Sequence, residues 1–412
     1  MDRQRLLERF LKYVKVDTMA DVTSSSYPSS VGQLELGKLL VAELQEIGLS
    51  EVEQDENGLV WATVLPTTNK DVPTIAFNSH LDTSPETSGV DVQPQVITEY
   101  AGGDIVLNSD LSRAIKINEN PELNRLHGAT IITTDGTTLL GGDDKAGIAV
   151  ITAAAAFLVE HPEIEHGPIR LLFTCDEEIG HGTDHVDLEK LAATVAYTLD
   201  GAGANDVDVE TFSADLAVVT IDGKNIHPSI AKGRMVNALR AAGDFISRLP
   251  REGMSPETTA DREGFIHPYH IEGSVEQTMI RLILRDFQVE KLVAQAELLG
   301  KIAKQVEIEY PGTSLSVNIT KQYRNMGSGL SRDPRAVQYA VEAHRRLGRQ
   351  AVQAIVRGGT DGSQLTERGL PTPNLSSGQH NPHSPLEWAC LDEMVQATEV
   401  IVEIAKVWCE QS

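Results

Sequence analysis

Three short apolar runs in this chain break off at side chains that bind cations or carry protons. Residues 73–77 lead into Asn78-Ser79-His80-Leu81-Asp82, residues 169–173 into Thr174-Cys175-Asp176-Glu177-Glu178, and residues 195–199 into Asp200-Gly201. Adjacent carboxylates repel one another, so Asp176, Glu177 and Glu178 are stable together only where water, cations or metal ions supply compensating charge. An acidic triplet ordinarily marks a solvated loop or the first turn of a helix. Here it follows a run that reads as a buried strand, and ligands bind at the carboxyl ends of strands in open α/β sheets. In His80-Leu81-Asp82 the alternation of an extended backbone lets the two polar side chains project together. A histidine that binds a metal donates its second ring N–H to a carboxylate, which suits Asp82 to orient His80. One such strand end arises by chance; three in one chain point to a shared site.

A fourth stretch, Gly141-Gly142-Asp143-Asp144-Lys145, opens an apolar helix that starts near Ala146. Carboxylates at a helix start are favoured by the helix dipole, so capping is the plain reading of both aspartates. A carboxylate with two oxygens also bridges a pair of cations, and capping does not exclude that. Near the C-terminus, Gln379-His380-Asn381-Pro382-His383-Ser384-Pro385-Leu386-Glu387 offers two histidines. His181 and His185 stand four apart, but without the glutamate of a His-Glu-x-x-His motif they read as surface residues.

The elements that must hold these side chains follow from periodicity. Amphipathic helices are predicted over 1–16 and 34–47, the second stopped by Gly48. Strands follow at 51–53 and 59–64, and then the polar, turn-rich segment 84–129, with Gly102-Gly103 as a hairpin tip, reads as an insertion on the core domain. From about Phe212 the order is strand 216–221, helix 234–249, strands 264–271 and 277–287, helix 289–306 and strand 314–320. That β-α-β-β-α-β order is the ferredoxin-like pattern. A helix over 334–347 and a last amphipathic helix over 386–410 return the chain to the first domain. The expected fold is α/β: a discontinuous first domain of residues 1–211 and 322–412, with a mixed sheet flanked by helices, and an inserted ferredoxin-like α+β second domain of residues 212–321.

Composition narrows the partners. The 412 residues are 41% hydrophobic and 23% charged, ordinary for a soluble protein, and the formal net charge of -25 disfavours nucleic acid and anionic membranes. The longest apolar run, 148–159, is too short to cross a bilayer, and residues 1–16 read as an amphipathic helix rather than a signal peptide. Three scattered cysteines, Cys175, Cys390 and Cys409, suggest no disulfide framework and a cytoplasmic location.

Taken in chain order, the stretches 80–85, 142–147, 176–180, 199–201, 227–228, 231–233, 235–238, 285–287 and 357–362 resemble the co-catalytic di-zinc exopeptidases and deacylases. Within that group they are most similar to the tripeptide aminopeptidases of the peptidase T family. The resemblance implies two zinc ions per subunit, bridged by Asp143, with His80 and Asp200 completing one set of ligands and Glu178 and His383 the other. It implies that Asp82 orients His80 and that Glu177 is the general base for the water activated by the metals. His383 is favoured over His380 because Glu387 follows it at the family's spacing; His380 is then left as a solvated loop histidine.

The resemblance also makes the second domain a lid, with His227 donating to the oxyanion of the tetrahedral intermediate. Lys232, Asn237, Arg285 and Arg357 resemble the groups that grip the peptide backbone and terminal carboxylate; Arg285 could instead be a buried strand-end arginine paired with Asp286 or Glu272. The implied substrates are tripeptides, and a homodimer is compatible with the pattern. A dipeptidase or an N-acyl amino acid amidohydrolase would share the same metal residues, and a non-catalytic peptide- or metal-binding protein would share most of them.

Overall fold

The computed structural model describes residues 1–108 and 113–411. Two compact units emerge: residues 1–209, 328–354 and 360–412 form the first, and residues 210–327 and 355–359 the second.

The first unit is built on a mixed sheet. Its main path runs Ser50–Gln54, Val60–Val64, Ile169–Thr174, Ile75–His80, Val195–Ala202, Asn374–His380, Trp388–Cys390, Ile131–Thr133 and Gln95–Ile97. The four strands at the centre of that path are parallel, and the flanking pairs are antiparallel. Ile75–His80 is buried at every position: Ile75, Ala76 and Phe77 are apolar, as a strand covered on both faces requires, and the polar Asn78, Ser79 and His80 fall at its carboxyl end. Parallel strands also present all their carboxyl ends on one edge, which gathers the residues after His80, Thr174 and His380 there.

Strand register does the rest. Asn78 pairs with Thr198, so two residues further along the same faces His80 falls beside Asp200. Asp200 was expected just past a strand end, but the strand runs on to Ala202 because Gly201 and Ala202 continue the ladder with Ser376 and Gln379. The long helix Gly142–Glu160 packs across the sheet and is buried along most of its length. Its close approach depends on Gly147: a Cβ there would lie 2.3 Å from the carbonyl oxygen of Leu199 and 2.4 Å from Asp144 Oδ1. Helices Arg3–Tyr13, Val31–Ile47, Arg335–Arg346 and Leu391–Glu410 complete the layers.

Two expectations are corrected here. Gly102 and Gly103 do adopt left-handed backbones, but they cap no hairpin: Gln95–Ile97 joins the main sheet through Ile131–Thr133, and Ile105–Val106 pairs with Ala114–Ile115. The last helix begins at Leu391 rather than near 386, because Trp388–Cys390 first forms a strand against Asn374–His380. Trp388 is thereby buried with Tyr100, Ile105, Leu107, Ile115 and Leu123, which gives the inserted segment its own small core.

The second unit is an antiparallel sheet in the order Phe265–Gly273, Gln277–Asp286, Ser213–Asp222, Ser314–Tyr323. Alternate residues along Ser213–Asp222 and Gln277–Asp286 point into a core shared with helices Ala238–Ser247 and Val289–Glu309. Both the element order and the strand order are those of a ferredoxin-like fold. The unit extends past the expected boundary at 321 because Arg324 pairs with Asp215 at 2.7 Å and the Asn325 side chain binds the Phe287 carbonyl at 3.2 Å.

Among the described residues no helix is long and apolar enough to cross a membrane. All three cysteines are buried and free.

Candidate metal centre

At the carboxyl edge of the first unit's sheet, Asp143 lies between two histidines. Its Oδ1 is 3.0 Å from His80 Nε2, and its Oδ2 is 3.4 Å from His383 Nε2. Glu178 Oε2 is 2.9 Å from the same His383 nitrogen, and Asp200 Oδ1 is 3.9 Å from His80 Nε2. Metal–ligand bonds of about 2.0–2.1 Å in a tetrahedral site leave donor atoms roughly 3.3 Å apart, so these separations bracket what zinc requires. Two sets of side chains bring ligand atoms within 4.8 Å of one another: His80 with Asp143 and Glu178, and His80 with Asp144 and Asp200. The donors are carboxylates and imidazoles, which suit zinc and other borderline or hard divalent ions. Glu178 Oε1 is buried with no hydrogen-bond partner, an orphaned acceptor that a cation would satisfy.

The charge balance points the same way. Burial pushes Glu178 up to about 7, and the neighbouring Asp143 adds to the shift. Burial likewise raises Asp200 and Asp144 far above the ordinary carboxylate range, with Asp143 again contributing. Burial opposes charge on both histidines, but the carboxylates outweigh it: His80 is held well above its usual value by Asp143 and Asp82, and His383 rises to about 11 beside Asp143 and Glu178. Asp143, flanked by both imidazoles, is shifted down despite its own burial. The pocket therefore gathers protons in the places where a cation would otherwise compensate the acids.

Around these side chains runs a hydrogen-bonded frame. The carbonyl oxygen of Asp82 lies 3.1 Å from His80 Nδ1 and can only accept, so Nδ1 carries a proton; Nε2 faces Asp143, donates to it while the ring is charged, and is the nitrogen left for a cation. The Asp82 carboxylate contributes one further contact, Oδ1 at 3.4 Å from the same nitrogen. Its main work is on the acidic loop: Oδ1 accepts from Glu177 N and Oδ2 from Glu178 N, both at 3.0 Å. Asp82 thus sets the positions of a histidine and two glutamates at once.

The triplet's first member serves the frame as well. Asp176 is buried in a left-handed conformation and accepts from Ser29 N at 2.6 Å, from the Ser29 hydroxyl and from Gln33 Nε2 at 2.7 Å. It ties the serine-rich loop and the start of helix Val31–Ile47 beneath the site. Glu177 has no such tie among the described residues. Burial and the nearby Asp361, Glu178 and Asp82 raise its carboxyl well above the ordinary range, despite the opposing influence of His80.

Three further carboxylates build the frame, none of them among the expected ligands or catalytic residues. Glu387 is 1% exposed, and its two oxygens accept from Leu140 N and Gly141 N at 2.7 Å and from Asp143 N at 2.9 Å. It binds the turn that carries Asp143 to the loop that carries His383. Asp144 accepts from the Ser79 hydroxyl, from His80 N at 3.3 Å and from Gly147 N at 3.2 Å, so capping holds for this aspartate and not for its neighbour. Asp361, also buried, takes the Thr174 hydroxyl and Asn78 Nδ2 at 3.4 Å under the strand ends. The Glu387 spacing and the glycine-rich stretch around Asp361 were visible signals; that each carboxylate would be spent on backbone and hydroxyl donors was not.

His380 is no solvated loop residue. It ends a buried strand, stacks on Trp388 with ring centroids 3.7 Å apart and meets Glu393 Oε2 at 2.6 Å. That pairing leaves His383, not His380, with the acids. His181 sits with Asp184 and His185 against Tyr27, both exposed and outside the cluster.

Residues 135–407 match the sequence profile of peptidase family M20/M25/M40. The chain belongs to this family. It is 46% identical over 406 residues to the peptidase T of Geobacillus thermodenitrificans, with 98% of each chain covered. It is 44% identical over 409 residues to that of Listeria welshimeri, covering 99% of this chain and all of that one. The protein is a peptidase of the peptidase T kind. Its fold is shared with an aminopeptidase of Bacillus cereus, at a TM-score of 0.74, 24% identity and 99% coverage of both chains. A dinuclear metal-binding peptidase of Bacillus subtilis superposes at a TM-score of 0.66 with 17% identity, covering all of this chain and 99% of that one.

The remaining expected residues lie on the family's second unit. His227 is exposed, and its Nδ1 accepts from Ser229 N at 3.3 Å. Lys232 is exposed too, while Asn237 caps helix Ala238–Ser247 by accepting from Leu239 N and Arg240 N. Arg285 pairs with neither Asp286 nor Glu272: it donates to Gln322 Oε1 at 3.0 Å and lies over the Tyr323 ring. Arg357 is committed to its own unit, donating to Thr259 Oγ1 at 2.9 Å and to the Asp261 carbonyl at 3.2 Å, over Phe212 and Phe265.

Proposed function

We propose that this chain is a cytoplasmic aminopeptidase that releases the N-terminal residue of tripeptides, with two zinc ions held by His80, Asp143, Asp200, Glu178 and His383. The observation that carries this reading is the Asp143 carboxylate, which turns one oxygen toward each of two histidines within 3.4 Å. When bound, such ions polarise a carbonyl and lower the pKa of water, which supplies a nucleophile at neutral pH. The chain supplies the rest.

Glu177 takes the proton of the attacking water on its carboxylate and delivers it to the amide nitrogen that leaves. Among the described residues no side-chain or backbone group donates to its carboxylate, in contrast to Asp82, Asp176 and Glu387, which leaves it free for that transfer. Asp82 holds the peptide groups of Glu177 and Glu178 and so fixes base and ligand in register. On His227 the backbone donor at Nδ1 places the ring proton on Nε2, available to a developing oxyanion. Arg285 keeps guanidinium donors beyond its Gln322 bond, suited to a terminal carboxylate. Arg357 gives two of its five N–H groups to Thr259 and Asp261, which fixes the guanidinium, and keeps the others for the peptide.

The test is a hydrolysis panel of di-, tri- and tetrapeptides and N-acyl amino acids, run with and without chelator. Preference for tripeptides with a free amine, abolished by chelator and restored by zinc, is expected. Equal turnover of dipeptides or N-acyl amino acids would transfer the chain to the dipeptidase or amidohydrolase reading, and no turnover of any member would leave only a binding function.

A further inference from the structure

We propose that Glu86 and Thr87, at the start of the inserted segment, are positioning residues that fix the imidazole of His383. This rests on the reading above that His383 is a metal ligand. The backbone at His383 is left-handed, with φ 62°, and so is that of Asn381 two residues earlier, with φ 52°. For residues with a Cβ this conformation costs on the order of 1 kcal/mol and persists only where the surroundings impose it. Neither helix nor strand covers residues 381–387; within the turn Glu387 N bonds to the Ser384 carbonyl and Asn381 Nδ2 to the Leu386 carbonyl, and neither bond reaches His383, whose constraint comes from elsewhere.

Two neighbouring residues of the insertion provide it. Thr87 Oγ1 donates to the carbonyl oxygen of His383 at 2.7 Å, which fixes the peptide that follows the left-handed residue. Glu86 Oε2 lies 3.3 Å from His383 Nδ1, on the side of the ring away from Glu178 and Asp143. A carboxylate facing Nδ1 favours a proton there and leaves Nε2, which faces Glu178 and Asp143, as the nitrogen whose lone pair a metal held by those acids would take. Asn120, later in the same segment, accepts from Asn381 Nδ2 at 2.7 Å and steadies the other left-handed residue. His80 and His383 are thus oriented by different means: His80 by a fully buried contact with Asp82, His383 by a segment outside the central sheet.

Zinc binding to the metal-free protein, measured by calorimetry against a competing chelator, separates the possibilities. The set is wild type, His383→Ala, Glu86→Ala, Glu86→Gln and Thr87→Val. Wild type should take up two ions and His383→Ala should lose tight binding of one. Glu86→Ala should keep one ion at wild-type affinity and bind the other about 10–100-fold more weakly, the usual effect of removing a partner behind a ligating histidine. Glu86→Gln, which keeps an acceptor oxygen, should recover most of the loss, and Thr87→Val should weaken the same ion several-fold. If His383→Ala retains both ions at full affinity, the ligand reading itself fails. If His383→Ala loses one ion while Glu86→Ala matches wild type, only the positioning role is overturned. A Glu86→Gln variant as weak as Glu86→Ala would also overturn it, because the loss would then follow charge rather than ring orientation.

Discussion

Stripping the metals should make the protein's stability fall as pH rises, the reverse of ordinary acid denaturation. The acids of the centre are held above their normal values, Glu178 moving from 4.5 to about 7 through burial and the nearby Asp143. Between those values the folded state binds the proton and the unfolded state does not, so stability declines as pH rises through that window. At about 1.4 kcal/mol per unit, Glu178 alone accounts for roughly 3 kcal/mol. Asp200, Asp144 and Glu177 are raised in the same direction. His383 adds the same sign at higher pH: its folded value, raised from 6.5 to about 11, supports folding below 6.5 and loses that support as pH climbs. Asp143 is depressed, so its contribution is lost only on acidification below the ordinary carboxylate range. The assay is thermal unfolding of chelator-treated and zinc-loaded protein at pH 5 and pH 9. The metal-free protein should melt roughly 5–10 °C lower at pH 9. Zinc loading should remove that dependence, since ions then replace protons as the compensating charge. A metal-free Glu178→Gln variant should lose about 3 kcal/mol of the slope. A metal-free protein whose stability is flat or rises between pH 5 and pH 9 would refute the electrostatic reasoning.

Other perturbations test separate parts of the site. Glu177→Gln should retain both metals and the native melting profile while kcat falls by about 100-fold or more, as metal analysis and steady-state kinetics on one preparation would show. Glu387→Ala strands three buried backbone N–H groups, at about 1–3 kcal/mol each before relaxation, so denaturant unfolding should show a loss of several kcal/mol and zinc should bind more weakly. Gly147→Ala drives a methyl group onto the Leu199 carbonyl and the Asp144 carboxylate; about 1–3 kcal/mol of stability should go, measured in the same way.

What could be read in advance was set by local chemistry. Apolar runs ending in His80, in Asp176-Glu177-Glu178 and beside Asp200 place donors on one sheet edge once the runs are parallel strands, and alternation puts His80 and Asp82 together. The ferredoxin-like unit was readable for a similar reason, because two-residue and helical periodicities alternate cleanly through it. Pairing over long sequence separations was not. Nothing near His380 shows that Trp388 will stack on it and Glu393 will meet it, so its burial depends on the hairpin Asn374–His380 with Trp388–Cys390. The same holds for Glu387, which grips a turn some 245 residues earlier in the chain. Asp82 was legible as a partner of His80, but its hold on Glu177 N and Glu178 N required two strand ends to meet. The bonds of Arg357 to Thr259 and Asp261 likewise join residues almost a hundred positions apart.

The most direct measurement is an anomalous difference map from zinc-loaded crystals, with data on either side of the zinc edge. Two peaks are expected at the carboxyl edge of the central sheet, one beside His80 and Asp200, the other beside Glu178 and His383, with Asp143 between them. A single peak, or a second peak displaced to His380 and Glu393, would contradict the two-metal centre.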